Sequence, residues 1–297
     1  MSEPLLARRG LSLDRLETFC RVAESGSIVK AANQDPVRQS LYSRQIRELE
    51  EFFGTALIER DGRGIKLTTA GKRLAQLARE QFAALRDFQQ EVARQPVTLS
   101  IGSGNSVLEW VVTPQLPQLC QRLGNVEISL LNLRTRQIVR DLQDLRLDVG
   151  IIRKDAVTKG LKTVSFTKLT YAFFIPASWA RKGVQQQLQS LPLALAAGES
   201  FQPQFLTAAA NAGFTFRVVV QCSSFSQAAE LAVSGKFIAV LPVVANDRLR
   251  KLGCVSVQIP FLEKCARELV LAWHPRLSAM RPIIPTAIDT LSALPGR

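Results

Sequence analysis

A chain of 297 residues with 46% apolar side chains is long enough for about two domains with real cores beyond one small module. The net charge of +13 favours anionic partners, but residues 1–96 hold 16 basic and 13 acidic side chains while residues 97–297 hold 22 and 12. The excess therefore says little for nucleic-acid binding at the amino end; it argues for an anionic small ligand further on, or for an evenly basic surface.

Leu13, Leu16, Phe19, Val22 and Ala23 repeat at helical spacing until Gly26 closes the run. Ser27 is placed to cap a second, short helix whose inner side is Ile28, Ala31 and Ala32. Asp35-Pro36 breaks that helix, because the residue before a proline is pushed out of helical space. A third helix over 38–53 puts Tyr42, Ile46, Leu49 and Phe53 on one apolar stripe. Ser40, Ser43, Arg44 and Arg47 lie clear of it, with hydroxyls and guanidinium groups able to reach base edges and phosphates. Three short helices in this order make a helix-turn-helix module.

The period turns extended at Leu57 to Arg60, Asp61-Gly62-Arg63-Gly64 supplies a turn, and Ile65 to Leu67 returns as a second strand. Arg60, Arg63 and Lys66 on so small a wing suit phosphates or a narrow minor groove. Thr68 or Thr69 then caps a long helix reaching Gln95, with Leu74, Ala78, Gln81, Leu85, Phe88 and Val92 in heptad a and d positions. Such a helix is expected to pair with a copy of itself through Leu74, Ala78, Leu85, Phe88 and Val92.

Residues 16–71 resemble the winged helix-turn-helix of LysR-type transcriptional regulators. The resemblance is carried by Leu16, Phe19, Val22, Ala23, Gly26-Ser27, Ala31-Ala32, Gln39, Ser43-Arg44-Gln45-Ile46, Leu49-Glu50, Gly54, Leu57-Ile58-Glu59-Arg60, Leu67-Thr68 and Ala70-Gly71. It implies a sequence-specific regulator bound to double-stranded DNA as a homodimer or homotetramer, with a two-lobed effector domain similar to periplasmic binding proteins. The residues expected at the duplex are Ser27, Arg38, Gln39, Ser40, Ser43, Arg44, Arg47, Arg60, Arg63 and Lys66. Two departures stand out: Asp35 where the family has an apolar residue, and Arg38-Gln39-Ser40-Leu41 where it has Ser-Gln-Pro-Ala. Asp35 either weakens the packing of the second helix or caps the third.

From Pro96 the grammar alternates strand and helix: strand 97–101, helix 107–119, strand 126–131, helix 137–145 and strand 149–152, which implies a parallel sheet. A second unit begins at Tyr171 and runs through Leu193-Ala194-Leu195, a helix over 201–211, strand 216–221, a helix over 225–233 and strand 237–241. Strand 269–273 and one last helix over 276–294 return to the first unit. The expected fold class is α/β overall: a winged helix-turn-helix domain over 1–68, a linker and dimerisation helix over 69–95, and an effector domain over 96–297. Its first lobe is 96–167 with 268–297 and its second is 168–267.

Ligands of such sheets sit beyond the carboxyl ends of strands, against helix N-termini. The turns Ser103-Gly104-Asn105-Ser106 and Ser223-Ser224-Phe225-Ser226 are expected to hold an effector from opposite sides, with Arg153 adding charge; ordinary capping explains the same serines.

No catalytic residue, metal ligand or cofactor site is expected. His274 is the single histidine and lies beside Pro275, and no serine has a Gly-x-Ser-x-Gly setting. Cys20, Cys120, Cys222, Cys254 and Cys265 show no Cys-x-x-Cys spacing, which argues for a reducing compartment and against structural zinc. Arg8-Arg9 is followed by Asp14, Arg15 and Glu17 rather than an apolar segment, so no secretion signal is expected and the location is expected to be cytoplasmic. The competing expectation is a solute-binding or enzymatic protein with a fused helical assembly module.

Overall fold

The computed structural model describes residues 10–62, 64–180, 187–197 and 201–293. The chain forms two compact units. One takes in residues up to Val97 together with Gln143–Arg146 and His274–Pro282; the other comprises Thr98–Leu142, Leu147–Trp273 and the chain from Ile283 on.

In the first unit α1 (Leu13–Ser25), α2 (Ile28–Ala31) and α3 (Pro36–Phe53) precede a hairpin of β1 (Ile58–Asp61) and β2 (Gly64–Leu67) and the long α4 (Thr69–Val92). Each start has a side-chain cap: Ser12, Ser27, Asp35 and Thr68 accept backbone N–H groups of α1 to α4 in turn. Asp35 is thus the N-cap of α3, its Oδ1 2.8 Å from Val37 N and 3.4 Å from Arg38 N, with Pro36 at the first helical position where no N–H is needed. The chain leaves α2 earlier than Asp35-Pro36 alone suggests, because Asn33 and Gln34 already take positive φ of 52° and 64°.

Phe19, Val22, Ala31, Ala32, Tyr42, Ile46, Leu49, Leu57 and Ala75 form the core of this unit. Burial of each large side chain there contributes roughly 1.5–3 kcal/mol. Polar ties then orient the elements: Arg15 Nε meets Glu48 Oε2 at 2.6 Å, Glu50 Oε1 accepts from Leu57 N and Ile58 N, and Ile65 N donates to Gly26 O. Gly71 lies against the wing so closely that a Cβ there would be 1.9 Å from Leu57 O.

The second unit holds two five-stranded sheets. The first has the order β4-β3-β5-β12-β6, from β3 (Val97–Ser103), β4 (Val126–Asn132), β5 (Val149–Arg153), β6 (Lys162–Leu169) and β12 (Arg267–Trp273). The second has the order β11-β7-β10-β8-β9, from β7 (Tyr171–Pro176), β8 (Leu193–Ala196), β9 (Val218–Cys222), β10 (Ile238–Pro242) and β11 (Cys254–Val257). The purely parallel sheet expected from the sequence is corrected to mixed sheets. β3 pairs with β5, and β8 with both β9 and β10, in parallel, but β12 runs antiparallel to both β5 and β6, and β7 antiparallel to both β10 and β11. These antiparallel strands are the segments by which the chain passes between lobes.

Helices α5 (Asn105–Val107), α6 (Leu116–Leu123), α7 (Thr135–Gln143), α8 (Phe201–Asn211), α9 (Phe225–Val233), α10 (Asn246–Lys251), α11 (Pro275–Met280) and α12 (Ile283–Ala293) complete the chain. The single helix expected over 107–119 is instead a π turn over Leu108–Val112 and a tight turn over Thr113–Gln115 before α6, since Pro114 and Pro117 lack the N–H a regular helix would use. Pro282 likewise divides the expected last helix into α11 and α12. Among the described residues, no helix is long and apolar enough to cross a membrane.

Candidate nucleic-acid interface and ligand cleft

On α3 the helical period separates two faces. Tyr42, Ile46 and Leu49 are 7%, 1% and 0% exposed, whereas Phe53, expected on the same stripe, is exposed in the last turn before the Gly54 cap, which corrects that expectation. The opposite edge carries exposed Arg38, Ser40, Arg44 and Arg47 and half-buried Gln39 and Ser43. Arg38 reaches Asp35 at 3.5 Å, Arg44 reaches Glu48 at 3.7 Å, and Arg47 Nε donates to Ser43 O. Surface pairs of this kind are worth little, so these guanidinium groups can be redirected to a stronger acceptor at small cost.

Ser27 is occupied as the α2 cap, its Oγ 3.4 Å from Lys30 N. Arg60 and Lys66 are exposed on the hairpin, on β1 and β2 respectively, beside Glu59 and Asp61. Arg63 lies outside the described residues.

The expected pairing residues of α4 divide. Ala78 is 2% exposed and Leu74 packs against the core of its own unit, so neither is free to meet a second chain; this corrects the heptad reading. The exposed stripe is Leu77, Leu85, Phe88 and Val92, at 44%, 49%, 64% and 68%. Ala78 is turned inward because the same helix face carries Gly71 and Ala75 onto the core. Further along, α4 holds returning chain: Gln76 Nε2 and Arg79 Nη1 donate to Gln143 O and Asp144 O, and Asp87 accepts Arg281.

In the second unit the two serine-rich turns do face each other. Asn105 Nδ2 donates to Ser226 Oγ at 3.0 Å, Ser226 Oγ donates to Glu109 Oε2, and Glu109 Oε1 accepts from Arg248 Nη1 at 2.6 Å. Glu109 and Arg248 lie 139 residues apart, so no local pattern in the sequence links them. Beside this chain of bonds is a cavity of about 750 Å³ lined by Glu109, Trp110, Phe166, Val244, Arg248 and Leu252 among others. None of the residues expected to hold an effector lines it.

Those residues are placed as follows. Ser103 is fully buried and its Oγ donates to Ile151 O at 3.1 Å, so its hydroxyl serves the sheet rather than a ligand, which corrects that expectation. Ser224 caps α9 through Gln227 N. Gly104 and Ser106 are half-buried at the start of α5, and Arg153 ends β5 with Nε 3.3 Å from Asp155 Oδ1.

Phe225 stands in a cluster with Tyr171 and Phe201, at ring distances of 4.5 to 5.8 Å. Arg267 lies over the Phe201 ring, its Cζ 5.5 Å from the centroid. Burial pushes the Tyr171 phenol up to about 12, against the opposing pull of the Arg267 and Arg153 charges, so it stays a neutral O–H donor at ordinary pH. Burial raises the Cys222 thiol, as it does Cys254 and Cys265, and so disfavours the thiolate.

A winged helix-turn-helix followed by one long helix and by two mixed sheets that the chain crosses between twice defines a class: a DNA-binding module joined to a two-lobed binding domain. Residues 13–72 match the model of the bacterial regulatory helix-turn-helix proteins of the lysR family, and residues 93–292 match that of the LysR substrate binding domain. The chain therefore belongs to the LysR family of regulatory proteins.

Among curated relatives it is 37% identical over 123 residues to the transcriptional regulator TrpI of Pseudomonas aeruginosa. That alignment takes in 40% of this chain and 41% of TrpI, so it spans well under two thirds of the relative. Full-length OxyR from Pseudomonas aeruginosa shares the fold at a TM-score of 0.67 and 19% identity, covering 95% of each chain. CbnR in complex with its target DNA does so at 0.51 and 20%, covering 94% of this chain and all of that one. At such identity the structures speak for the fold alone.

Proposed function

We propose that this protein is a ligand-responsive, sequence-specific DNA-binding transcription regulator of the cytoplasm. Residues 1–68 are its DNA-binding domain, 69–95 its linker and 96–297 its effector domain. The observation that carries the reading is the division of α3: Tyr42, Ile46 and Leu49 are buried in the core shared with α1 while Ser40, Ser43, Arg44 and Arg47 lie on the other side at the spacing that fits a major groove. The hairpin bearing Arg60 and Lys66 lies beyond the recognition helix, where phosphates or a minor groove would meet it.

Two copies joined along Leu77, Leu85, Phe88 and Val92 of α4 would present two recognition helices to half-sites related by a two-fold axis. A small effector held between the Asn105 and Ser226 turns would bias the spacing of the DNA-binding units, by the difference in its affinity for the two states. CbnR is seen on its target DNA, which supports the same use of this fold here.

The test is a gel-shift assay with DNA upstream of the protein's own coding sequence. Arg44→Ala is expected to lose about 1–3 kcal/mol for that sequence and little for random DNA. Lys66→Ala is expected to weaken both alike and to reduce the salt slope by about 1. Equal losses by both variants on both DNAs would remove base reading from α3, and no shift at any salt would sink the reading altogether.

A further inference from the structure

Two arginines of this chain offer the same side-on edge, and only one of them meets a carboxylate within the fold. Arg281 turns its Nε and Nη2 to the two oxygens of Asp87, at 2.7 and 2.9 Å. Arg267 turns inward the same pair, Nε and Nη2, and both are buried without a hydrogen-bond partner. That edge of a guanidinium is a planar two-donor fork matched in width to a carboxylate's two oxygens. Leaving it unpaired in the interior is expensive, so a partner is expected to bind there.

The surroundings narrow the partner. The adjacent Glu268 carboxylate is engaged by Lys154 at 2.7 Å and faces solvent, so it does not neutralise Arg267. The Arg267 and Arg153 charges both oppose the effect of burial on the Tyr171 phenol, and Arg153 ends the strand that pairs with β12. Phe201 lies under the guanidinium, and the Phe201, Tyr171 and Phe225 rings make an apolar wall beside it. Phe225 begins α9 next to Ser226, which bonds Asn105 of the other lobe.

We propose that the effector is a small organic carboxylate, seated with its carboxylate in the Nε–Nη2 fork of Arg267 and its body against the Phe201 and Phe225 rings. Arg153 adds charge and Tyr171 a neutral donor to the same group. This rests on the reading of the C-terminal part as an effector domain. It deepens that reading with a ligand class and with an anchor residue that its serine-rich turns do not contain.

The experiment is thermal unfolding and calorimetry of the full chain with benzoate, succinate and 2-oxoglutarate, against benzamide, succinamide and inorganic phosphate. At least one carboxylate is expected to raise Tm saturably, with the amides and phosphate silent. Arg267→Lys keeps the charge but not the fork and should weaken that carboxylate at least tenfold. Arg267→Met should abolish the response while leaving the ligand-free Tm unchanged or higher, because an unpaired buried charge has been removed. A lower ligand-free Tm with the response intact would make Arg267 structural and overturn the proposal. Stabilisation by the amides that survives Arg267→Met but is lost in Ser226→Trp would overturn the carboxylate class and leave the effector cleft standing. Carboxylate binding untouched by Ser226→Trp, or no stabilisation by any compound, would count against the cleft itself and the proposal with it.

Discussion

Arg281 grips Asp87 side-on across 194 residues of sequence, with Nε 2.7 Å from Oδ2 and Nη2 2.9 Å from Oδ1. Asp87 is on α4, and Arg281 follows α11, the helix into which strand β12 leads. At the other end of β12 stands Arg267, and its neighbour β5 ends at Arg153. The loop before β5 is held on α4 as well, through Gln143 O and Asp144 O. The segment before β5 and the segment after β12 are thus both bonded to the long helix.

Asp87→Ala removes the side-on carboxylate from a guanidinium that is 8% exposed, so it should destabilise by about 3 kcal/mol. Replacing both partners together with leucine should cost much less than that, since no charge is left buried. Urea unfolding of the two variants checks the order; equal losses would mean that the pair contributes packing alone.

Gly71→Ala should be among the most damaging single-methyl changes in the DNA-binding unit. Its Cβ would meet Leu57 O at 1.9 Å, and both groups are backbone-held, so β1 or α4 must move. A loss of at least about 3 kcal/mol is expected, together with weakened binding to all DNA as the hairpin shifts. Wild-type stability in this variant would show that the approach is looser than described.

Asp35 departs from the family pattern, and its role as the α3 cap makes a graded prediction. Asp35→Ala should lose about 1 kcal/mol, whereas Asp35→Ser or Asp35→Asn should lose only a few tenths. If Asp35 were instead a misplaced charge weakening α2, all three would stabilise.

His274 Nδ1 accepts the Arg276 N–H at 3.3 Å and so caps α11 in its neutral form. Burial, and then the Arg276 charge, hold its pKa below the ordinary 6.5. On acidification the unfolded chain therefore takes up the proton first. The stabilisation is complete above pH 6.5 and is lost as pH falls from there to the folded-state value. His274→Asn retains a cap without the titration, so comparing the two proteins at pH 7.5 and 5.5 should show a loss in the wild type that the variant lacks.

Thiol chemistry should single out Cys120. It is exposed, whereas Cys20, Cys222, Cys254 and Cys265 are buried, with Cys20 pushed up to about 11 chiefly by burial. Maleimide should label one thiol rapidly in the native protein, and Cys120→Ser should remove that phase. Hydrogen peroxide at low concentration should leave DNA affinity unchanged; a peroxide-dependent change lost in Cys222→Ser would reverse this view.

Residue spacing alone was enough to assign the amino-terminal elements and the outward edge of α3, because the 3.6-residue period decides which side chains share a face. Helices 201–211 and 225–233 were likewise readable from their own residues. Only the tertiary structure decided that β12 and β6 run antiparallel, that Ala78 packs inward while Leu77 faces out, and that Ser103 gives its hydroxyl to Ile151. It alone pairs Asn105 with Ser226, Glu109 with Arg248 and Arg281 with Asp87, and leaves the inner edge of Arg267 unmatched. The physical reason is range: a helical or strand period is set by bonds a few residues apart. Which charges meet, and which one stays alone, depends on chain segments more than a hundred residues apart being brought together by packing.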